Sequence, residues 1–270
     1  DGETLNIVYA DSTQGWIPLD DDVVADEPYT LTQKGIFAYG YVSGSVSISN
    51  LVSSSGVIAS DVTGVGTARY GLGGSTYGLD KAIFAYGSTG SVVSMSNLVT
   101  NVGVVGADVS GVGTDRSNLA ATTYGTDTAI FAYGNTGSVS SLSNLVNSSG
   151  VIATDVSGVG TARENLGAAT YGYDKAIFAY GRTPSVVSMS NLVTNVGVVG
   201  ADVTGVGTSR YDAKATLYGG DKAIFAYGYD GSGNVSMSNL VSNSGVVASD
   251  VSGVGTSRRD LAAAGYSTSA

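Results

Sequence analysis

The sequence predicts an all-β fold, a five-bladed β-propeller with four strands in each blade. Three observations predict it. A motif recurs every 47 residues, each repeat divides into four short β-rich segments, and the repeat begins and ends inside a unit rather than at its boundary. A period of roughly 20 to 50 residues is typical of solenoids and propellers.

Five copies of one motif make up most of the chain. Each copy contains an Ile-Phe-Ala-Tyr-Gly segment, then Ser-Asn-Leu-Val, then Asp-Val-x-Gly-Val-Gly-Thr. The last copy carries one extra residue near Gly231–Asn234. The period is read most simply from the five Phe residues of the chain: Phe37, Phe84, Phe131, Phe178 and Phe225.

Each repeat is divided by Gly into short segments rich in Val, Ile, Tyr, Ser and Thr, a composition that favours strands. Helices need apolar residues at helical spacing over roughly ten or more residues, and no segment provides this. Four strands in about 45 residues match one propeller blade. In one full repeat the predicted strands are Leu119–Tyr124, Thr128–Tyr133, Val139–Leu145 and Gly150–Ser157.

The phase of the repeat predicts how the ring closes. The first copy opens at Gly35 without the strand that should precede it, and the last copy ends with Arg258–Tyr266, which is that missing strand. We therefore expect the C-terminal strand to complete the first blade, which removes a free sheet edge. Residues 35–270 are the predicted propeller domain.

Residues 1–34 lie outside the repeat. Leu5–Tyr9 and Gly15–Leu19 predict a hairpin around Asp11–Gln14, and Asp20–Pro28 predicts an exposed acidic linker. Trp16 is the only Trp of the chain. Because Trp often packs at interfaces, we expect it to contact the propeller or another subunit.

The repeat resembles a kelch unit over residues 35–266. The motifs that carry the resemblance are Arg-x-x-Leu-Ala-Ala-Ala, then Tyr-Gly-x-Asp-Lys-Ala-Ile-Phe-Ala-Tyr-Gly, then Ser-Met-Ser-Asn-Leu-Val. Tyr-Gly replaces the double Gly of kelch blades, and their usual Trp is missing. The near-identical copies are also similar to kelch-like repeats in virion proteins of tailed phages and in marine viral sequences. The N-terminal hairpin is similar to segments of phage fibre proteins.

Composition bears on the function classes. The net charge of −10 disfavours a nucleic-acid partner. The sequence has no run of about 18 apolar residues, so we expect no transmembrane helix. The chain has neither His nor Cys, which excludes Ser-His-Asp and Cys-His catalysis and the usual zinc ligands. The recurrent carboxylates occur once in each blade, whereas active sites are singular. We therefore expect no enzymatic activity, no cofactor and no metal.

The most regular polar feature is an Asp that precedes an Arg by eight residues in every repeat. A ligand bound five times over is one interpretation, and a structural ion pair that ties neighbouring blades together is the favoured one, because guanidinium suits a fixed contact. The members are Asp61, Arg69, Asp108, Arg116, Asp155, Arg163, Asp202, Arg210, Asp250 and Arg258.

The differences between the copies are concentrated at two places. One follows Ile-Phe-Ala-Tyr-Gly, and the other follows the repeated Arg, at Tyr70, Ser117, Glu164, Tyr211 and Arg259. Strands alternate in direction, so both places fall on one face of the ring, and loops on a rigid scaffold commonly bind ligands. The candidate ligand-binding face comprises Tyr41, Asn135, Arg182, Tyr229 and Asp230.

These observations predict a binding or adhesion module in a phage tail fibre or another virion surface protein. Its partner would be a host surface glycan or a receptor protein, with other virion subunits bound through the N-terminal arm. A homo-oligomer is also compatible with the sequence. Two alternatives are a purely structural or decoration protein of the virion, and a secreted multivalent lectin with about five equivalent sites between blades.

Overall fold

The computed structural model describes residues 7–12, 15–18 and 34–265. These residues contain sixteen β-strands, every one of them paired antiparallel, and no helix. The predicted all-β class is confirmed. Because no described residue is helical, the described part of the chain also has no helix that is long and apolar enough to cross a membrane.

The repeat region forms five sheets, numbered here in chain order. Sheet 1 has two strands, β3 (Gly35–Tyr41) and β4 (Ser45–Val52). Sheets 2 to 5 have three strands each. They are β5 (Gly73–Tyr77), β6 (Lys81–Ala85) and β7 (Ser96–Val99); β8 (Ala120–Tyr124), β9 (Thr128–Ala132) and β10 (Ser143–Val146); β11 (Gly167–Tyr171), β12 (Lys175–Ala179) and β13 (Ser190–Val193); β14 (Lys214–Tyr218), β15 (Lys222–Ala226) and β16 (Ser238–Val241).

A fourth segment follows each of these sheets along its outer edge. In sheet 2, Val105 and Val109 form isolated antiparallel bridges to Val99 and Ser96 of β7, and the other sheets repeat this pattern. The third predicted strand starts later than expected, at Ser143, because Val139 instead bridges Asn135 within the preceding loop.

The first strands of sheets 2 to 5 lie side by side around one cavity. Gly73, Ala120, Gly167 and Ala215 line it, together with Ala263 from the C-terminal segment. Small side chains at these positions allow the strands to converge. A backbone ladder joins the strand entrances: Asn118 N–H donates to Gly71 O at 2.8 Å, Asn165 N–H to Asn118 O at 2.9 Å, and Asp212 N–H to Asn165 O at 2.9 Å.

The core lies between neighbouring sheets and is built from the Ile-Phe-Ala-Tyr segments. The Tyr of one sheet packs against the Phe of the next, with ring centroids 5.5 Å apart for Tyr86 and Phe131 and 5.6 Å apart for Tyr133 and Phe178. All four of these rings are fully buried. Each sheet interface therefore repeats the same aromatic contact, which adds to the burial of apolar area.

Sheet 1 is incomplete in the structure. Strand β3 pairs with β4 alone, and residues 261–265 belong to no strand, so the predicted closure by the C-terminal strand is not confirmed. Phe37 is 54% exposed, whereas the equivalent Phe131 is fully buried. Tyr266, the end of the predicted closing strand, lies outside the described residues.

The N-terminal residues form a separate hairpin of β1 (Ile7–Asp11) and β2 (Gly15–Pro18). Tyr9 pairs with Trp16, and their rings meet edge to face at 5.4 Å. Trp16 is 67% exposed, and its predicted contact with the propeller or another subunit stays a prediction. The predicted linker Asp20–Pro28 lies outside the described residues.

Candidate functional site

Four of the five repeated Arg side chains are fully buried. The guanidinium carbon of Arg163 lies 4.1 Å from the ring centroid of Tyr133 in the preceding sheet. In its own sheet, Arg163 Nη2 donates to Asn191 Oδ1 at 2.6 Å and Nε donates to the carbonyl of Tyr180 at 3.0 Å. Arg69, Arg116 and Arg210 stack in the same way and donate to the equivalent Asn.

The predicted pairing of each Arg with the Asp eight residues before it is wrong. Arg69 instead pairs with Asp108, in its own sheet, at 3.8 Å. The chain reverses direction between successive segments of a sheet, so the fourth segment comes back to the level where the Arg enters the first strand. The later Asp therefore lies near the Arg. The other pairs are Arg116–Asp155 at 3.7 Å, Arg163–Asp202 at 4.0 Å and Arg210–Asp250 at 4.0 Å.

The Asp of each pair is held as a carboxylate by several donors. Burial opposes the ionisation of Asp108, but hydrogen bonds from Thr67 and Asn97 outweigh it and lower the pKa. The Thr67 hydroxyl donates to Asp108 at 2.6 Å and Asn97 Nδ2 donates at 3.0 Å. Because each ion pair lies within one sheet, it is the stack of Arg on Tyr that joins one sheet to the next.

Asp61 and Arg258 are the members of this set that form no ion pair among the described residues with an Arg or Asp of the repeat. Asp61 accepts a hydrogen bond from Asn50 Nδ2 at 2.8 Å. Arg258 stacks on Tyr227 at 3.8 Å and donates to the carbonyl of Thr256. Asp61 thus retains the contact within its own sheet, and Arg258 retains the stack on the preceding sheet.

The two places where the repeats vary lie opposite each other in the structure. Antiparallel bridges join the residue after each Arg to the residue after Ile-Phe-Ala-Tyr-Gly. The bridged pairs are Tyr70 and Ser88, Ser117 and Asn135, Glu164 and Arg182, and Tyr211 and Tyr229. The variable positions of the chain thus converge on one face, as the strand directions predict.

These pairs form a row, called here the variable arc, in which side-chain contacts join three of the neighbouring pairs of sheets and the backbone hydrogen bond from Gly87 N–H to Arg116 O, at 2.9 Å, joins sheets 2 and 3. Tyr41 packs on Tyr70 at 5.4 Å, and Asn135 Nδ2 donates to Glu164 Oε2 at 3.1 Å. The guanidinium of Arg182 lies 5.1 Å from the Tyr211 ring. In order, the arc runs Tyr41, Tyr70, Ser88, Ser117, Asn135, Glu164, Arg182, Tyr211, Tyr229 and Arg259.

A charged pair forms the middle of the variable arc. Arg182 Nε and Nη2 both reach Glu164 Oε1, at 3.0 Å and 2.9 Å. Glu164 Oε2 accepts from Asn118 Nδ2 at 3.2 Å as well as from Asn135. Glu164 is buried beneath these donors and holds Arg182 in a fixed position.

An aromatic and cationic cluster ends the variable arc. Tyr211 and Tyr229 have ring centroids 5.4 Å apart. The guanidinium of Arg259 lies 4.6 Å from the Tyr229 ring, and its Nη1 donates to Tyr211 Oη at 3.0 Å. Glu164, Tyr211 and Arg259 were not among the predicted face residues, although the variation that follows each repeated Arg marks all three.

Asp230, a predicted face residue, stabilises its own loop. Its Oδ1 accepts from the backbone N–H groups of Ser232 and Gly233 at 2.7 Å and 2.8 Å. Those backbone hydrogen bonds lower the pKa of Asp230. The side chain therefore shapes the loop beside Tyr229 and is not part of the arc itself.

Two carboxylates lie at the mouth of the central cavity, inside the variable arc. Asp212 is buried, and this burial, with the nearby Asp260 carboxylate, raises the pKa of Asp212 to about 6 against the opposing effect of Lys214. Asn118 and Asn165 occupy the equivalent positions. Across residues 7–12, 15–18 and 34–265, no group of three or more His, Cys, Asp and Glu side chains is arranged to hold a metal ion.

Comparison with known proteins supports the fold alone. No family model and no curated protein matches the chain. A solved structure described as a novel fungal alcohol oxidase with catalytic diversity among the AA5 family, in complex with copper, is similar, with a TM-score of 0.53 and 11% identity. The similarity covers 84% of this chain and 64% of the oxidase, which is less than two thirds of its length.

Proposed function

We propose that the five sheets close into a five-bladed propeller, with the C-terminal segment as the first strand of sheet 1. Each complete sheet receives an Arg that donates to its Asn, as Arg163 does to Asn191. Among the described residues, Asn50 of sheet 1 accepts from no Arg and Arg258 donates to no Asn. The two ends are therefore complementary halves of one interface.

The aromatic contacts support the same closure. Phe37 has no Tyr against it in the described residues, while each Phe of sheets 2 to 5 packs on the Tyr of the preceding sheet. Tyr227 of sheet 5 lacks the corresponding Phe. Closure would bury Phe37 against Tyr227 and place Asp61 beside Arg258.

We infer that the chain is a non-enzymatic binding or adhesion module whose variable arc contacts the partner. The observation that carries this proposal is that otherwise near-identical repeats differ mainly at residues that lie together on one face. Packing of the core would not place the variation there, because the Ile-Phe-Ala-Tyr-Gly and Ser-Asn-Leu-Val segments that build the core are the same in every repeat. Most residues of the arc are Tyr or Arg, and both residue types are enriched at binding hot spots.

The setting that best fits this module is a phage tail fibre or another virion surface protein that contacts a host receptor or glycan. The support is the resemblance of the repeats to those of phage virion proteins. In this setting, the N-terminal hairpin with its exposed Trp16 would attach the propeller to other virion subunits.

The experiment is a binding assay with labelled protein on a panel of bacterial cells and surface glycans. The variant Tyr41→Ser/Arg182→Gln/Tyr229→Ser removes large groups from the variable arc. We expect binding to weaken by about tenfold or more, as for the loss of hot-spot residues. The matched control Lys81→Gln/Lys175→Gln/Lys222→Gln changes three exposed residues at the other ends of the strands and should bind normally. Unchanged binding of the arc variant would contradict the proposal.

A structural or decoration role in the virion is the second candidate. Its supporting observation is a set of exposed Val residues that recurs along the outer edge of successive sheets, at Val104, Val151, Val198 and Val246. Recurrent exposed apolar side chains of this kind are suited to packing against other subunits. Stable association with particles, combined with no binding to cells or glycans, would favour this role.

A further inference from the structure

The positive charge on the variable arc is confined to one place. The net charge of the chain is −10, and Arg69, Arg116, Arg163 and Arg210 are fully buried. Arg182 and Arg259 have side chains that are 41% and 39% exposed, and both contact the Tyr211–Tyr229 pair near one end of the arc. These two guanidinium groups are the ones that a ligand on this face would meet.

Both guanidinium groups are held in position by the same two Tyr rings. Arg182 lies 5.1 Å from the Tyr211 centroid and Arg259 lies 4.6 Å from the Tyr229 centroid, while the two rings contact each other. Cation–π contacts of this kind restrict the long Arg side chains before any ligand arrives. Pre-ordered side chains lose less entropy on binding.

Each guanidinium group also keeps donors that the described residues do not use. Glu164 occupies Nε and Nη2 of Arg182, which leaves Nη1. Arg259 uses Nη1 for Tyr211 Oη and has Nε 3.5 Å from Asp260, which leaves Nη2. Charge-assisted hydrogen bonds from guanidinium to an anionic oxygen are among the stronger polar contacts.

We propose that the cluster of Arg182, Tyr211, Tyr229 and Arg259 binds an acidic sugar, with its carboxylate or sulfate group between the two Arg side chains and its ring against Tyr. This inference rests on the proposed binding function and specifies its ligand. Four side chains match one or two sugar rings, whereas a protein partner needs roughly 800 Å² on each side. The small residues at Ser88 and Ser117 provide no comparable cluster elsewhere on the arc.

The test uses probes that differ in charge alone. Calorimetry compares trigalacturonic acid with its methyl ester, and a sulfated neocarratetraose with its desulfated form, on the full chain. We expect at least one acidic probe to bind about tenfold or more tightly than its uncharged counterpart, with weaker binding in high salt. Arg259→Gln should remove that preference, and the control Lys175→Gln should retain it.

The outcomes separate this inference from the proposed function. Equal binding of acidic and neutral probes, or binding of neither while arc variants still lose cell attachment, would overturn the acidic-sugar inference and leave the binding face in place. Unchanged cell attachment in the arc variants would overturn the proposed function itself. The melting temperature of Arg259→Gln, expected to match that of the parent chain, shows that lost binding does not arise from unfolding.

Discussion

The guanidinium of Arg163 stacks on the ring of Tyr133, at 4.1 Å, and thereby joins sheet 4 to sheet 3. Arg163 is fully buried and donates to Asn191 and to the carbonyls of Tyr180 and Phe178. A buried cation is tolerated here because these acceptors and Asp202 compensate for its desolvation.

Replacing Arg163 with Met should therefore destabilise the fold strongly. The change leaves Asn191 Oδ1 and three carbonyl oxygens without their donor, and losing one partner of a buried charged pair typically costs about 3 to 5 kcal/mol. Urea unfolding measures the loss. The matched control Lys175→Met removes a half-exposed ion pair and should cost under about 1 kcal/mol. A similar small cost for Arg163→Met would contradict the structural role.

Asp212 makes the stability of the fold depend on pH. Its pKa is raised from 3.8 to about 6 by burial and by Asp260. The folded state therefore holds this proton more tightly than the unfolded chain, so the stabilising contribution is complete below about pH 4 and is lost as the pH rises through about 6.

The variant Asp212→Asn should remove this dependence, because Asn118 and Asn165 already occupy the equivalent positions. At pH 7 we expect it to be more stable than the parent chain by up to about 3 kcal/mol, and at pH 4 by little. Thermal melts of both proteins from pH 4 to pH 8 provide the measurement. Parallel pH profiles for the two proteins would contradict the burial of an ionised Asp212.

Position 150 requires Gly both because its φ is positive and because a side chain of the preceding sheet lies close to it. It has φ of +80°, and a Cβ there would lie 2.8 Å from Tyr77 Cζ in the preceding sheet. Gly220 has the same φ and open space around it. We expect Gly220→Ala to cost about 1 kcal/mol from backbone strain, and Gly150→Ala to cost about 1 to 3 kcal/mol more from overpacking.

Gly56 is the equivalent of Gly150 in sheet 1, with φ of +78° and nothing within 4 Å. In the closed ring that we propose, its Cβ would meet Tyr218 and Leu240 of sheet 5. The cost of Gly56→Ala should then resemble that of Gly150→Ala in denaturant unfolding. A cost like that of Gly220→Ala would indicate that sheets 1 and 5 do not pack together.

Most of the strand pattern follows from the sequence because the same pattern recurs in all five repeats. The pairing of Arg with Asp did not follow, because each repeated Arg before Arg258 has one Asp eight residues before it and another 39 or 40 residues after it, and sequence spacing favours the nearer. Only the return of the fourth segment, along the outer edge of the sheet, to the level where the Arg enters decides between them.

The variable arc, our proposed binding face, could be predicted in part for a similar reason. Variation between copies identifies both variable places, and strand direction puts them on one face. Which of these side chains touch depends on the angle between neighbouring sheets, so the contacts of Glu164, Tyr211 and Arg259 emerge only from the structure.

The variable arc becomes a ring only if sheet 5 meets sheet 1, and a double-mutant cycle on Arg258 and Asp61 tests this most directly. The single variants Arg258→Gln and Asp61→Asn and their double variant give a coupling energy from unfolding. Arg116 and Asp155, 3.7 Å apart, supply the reference cycle. We predict a similar coupling of about 1 to 3 kcal/mol in both cycles, independent of protein concentration. Coupling in the reference pair with none between Arg258 and Asp61 would contradict the closed ring.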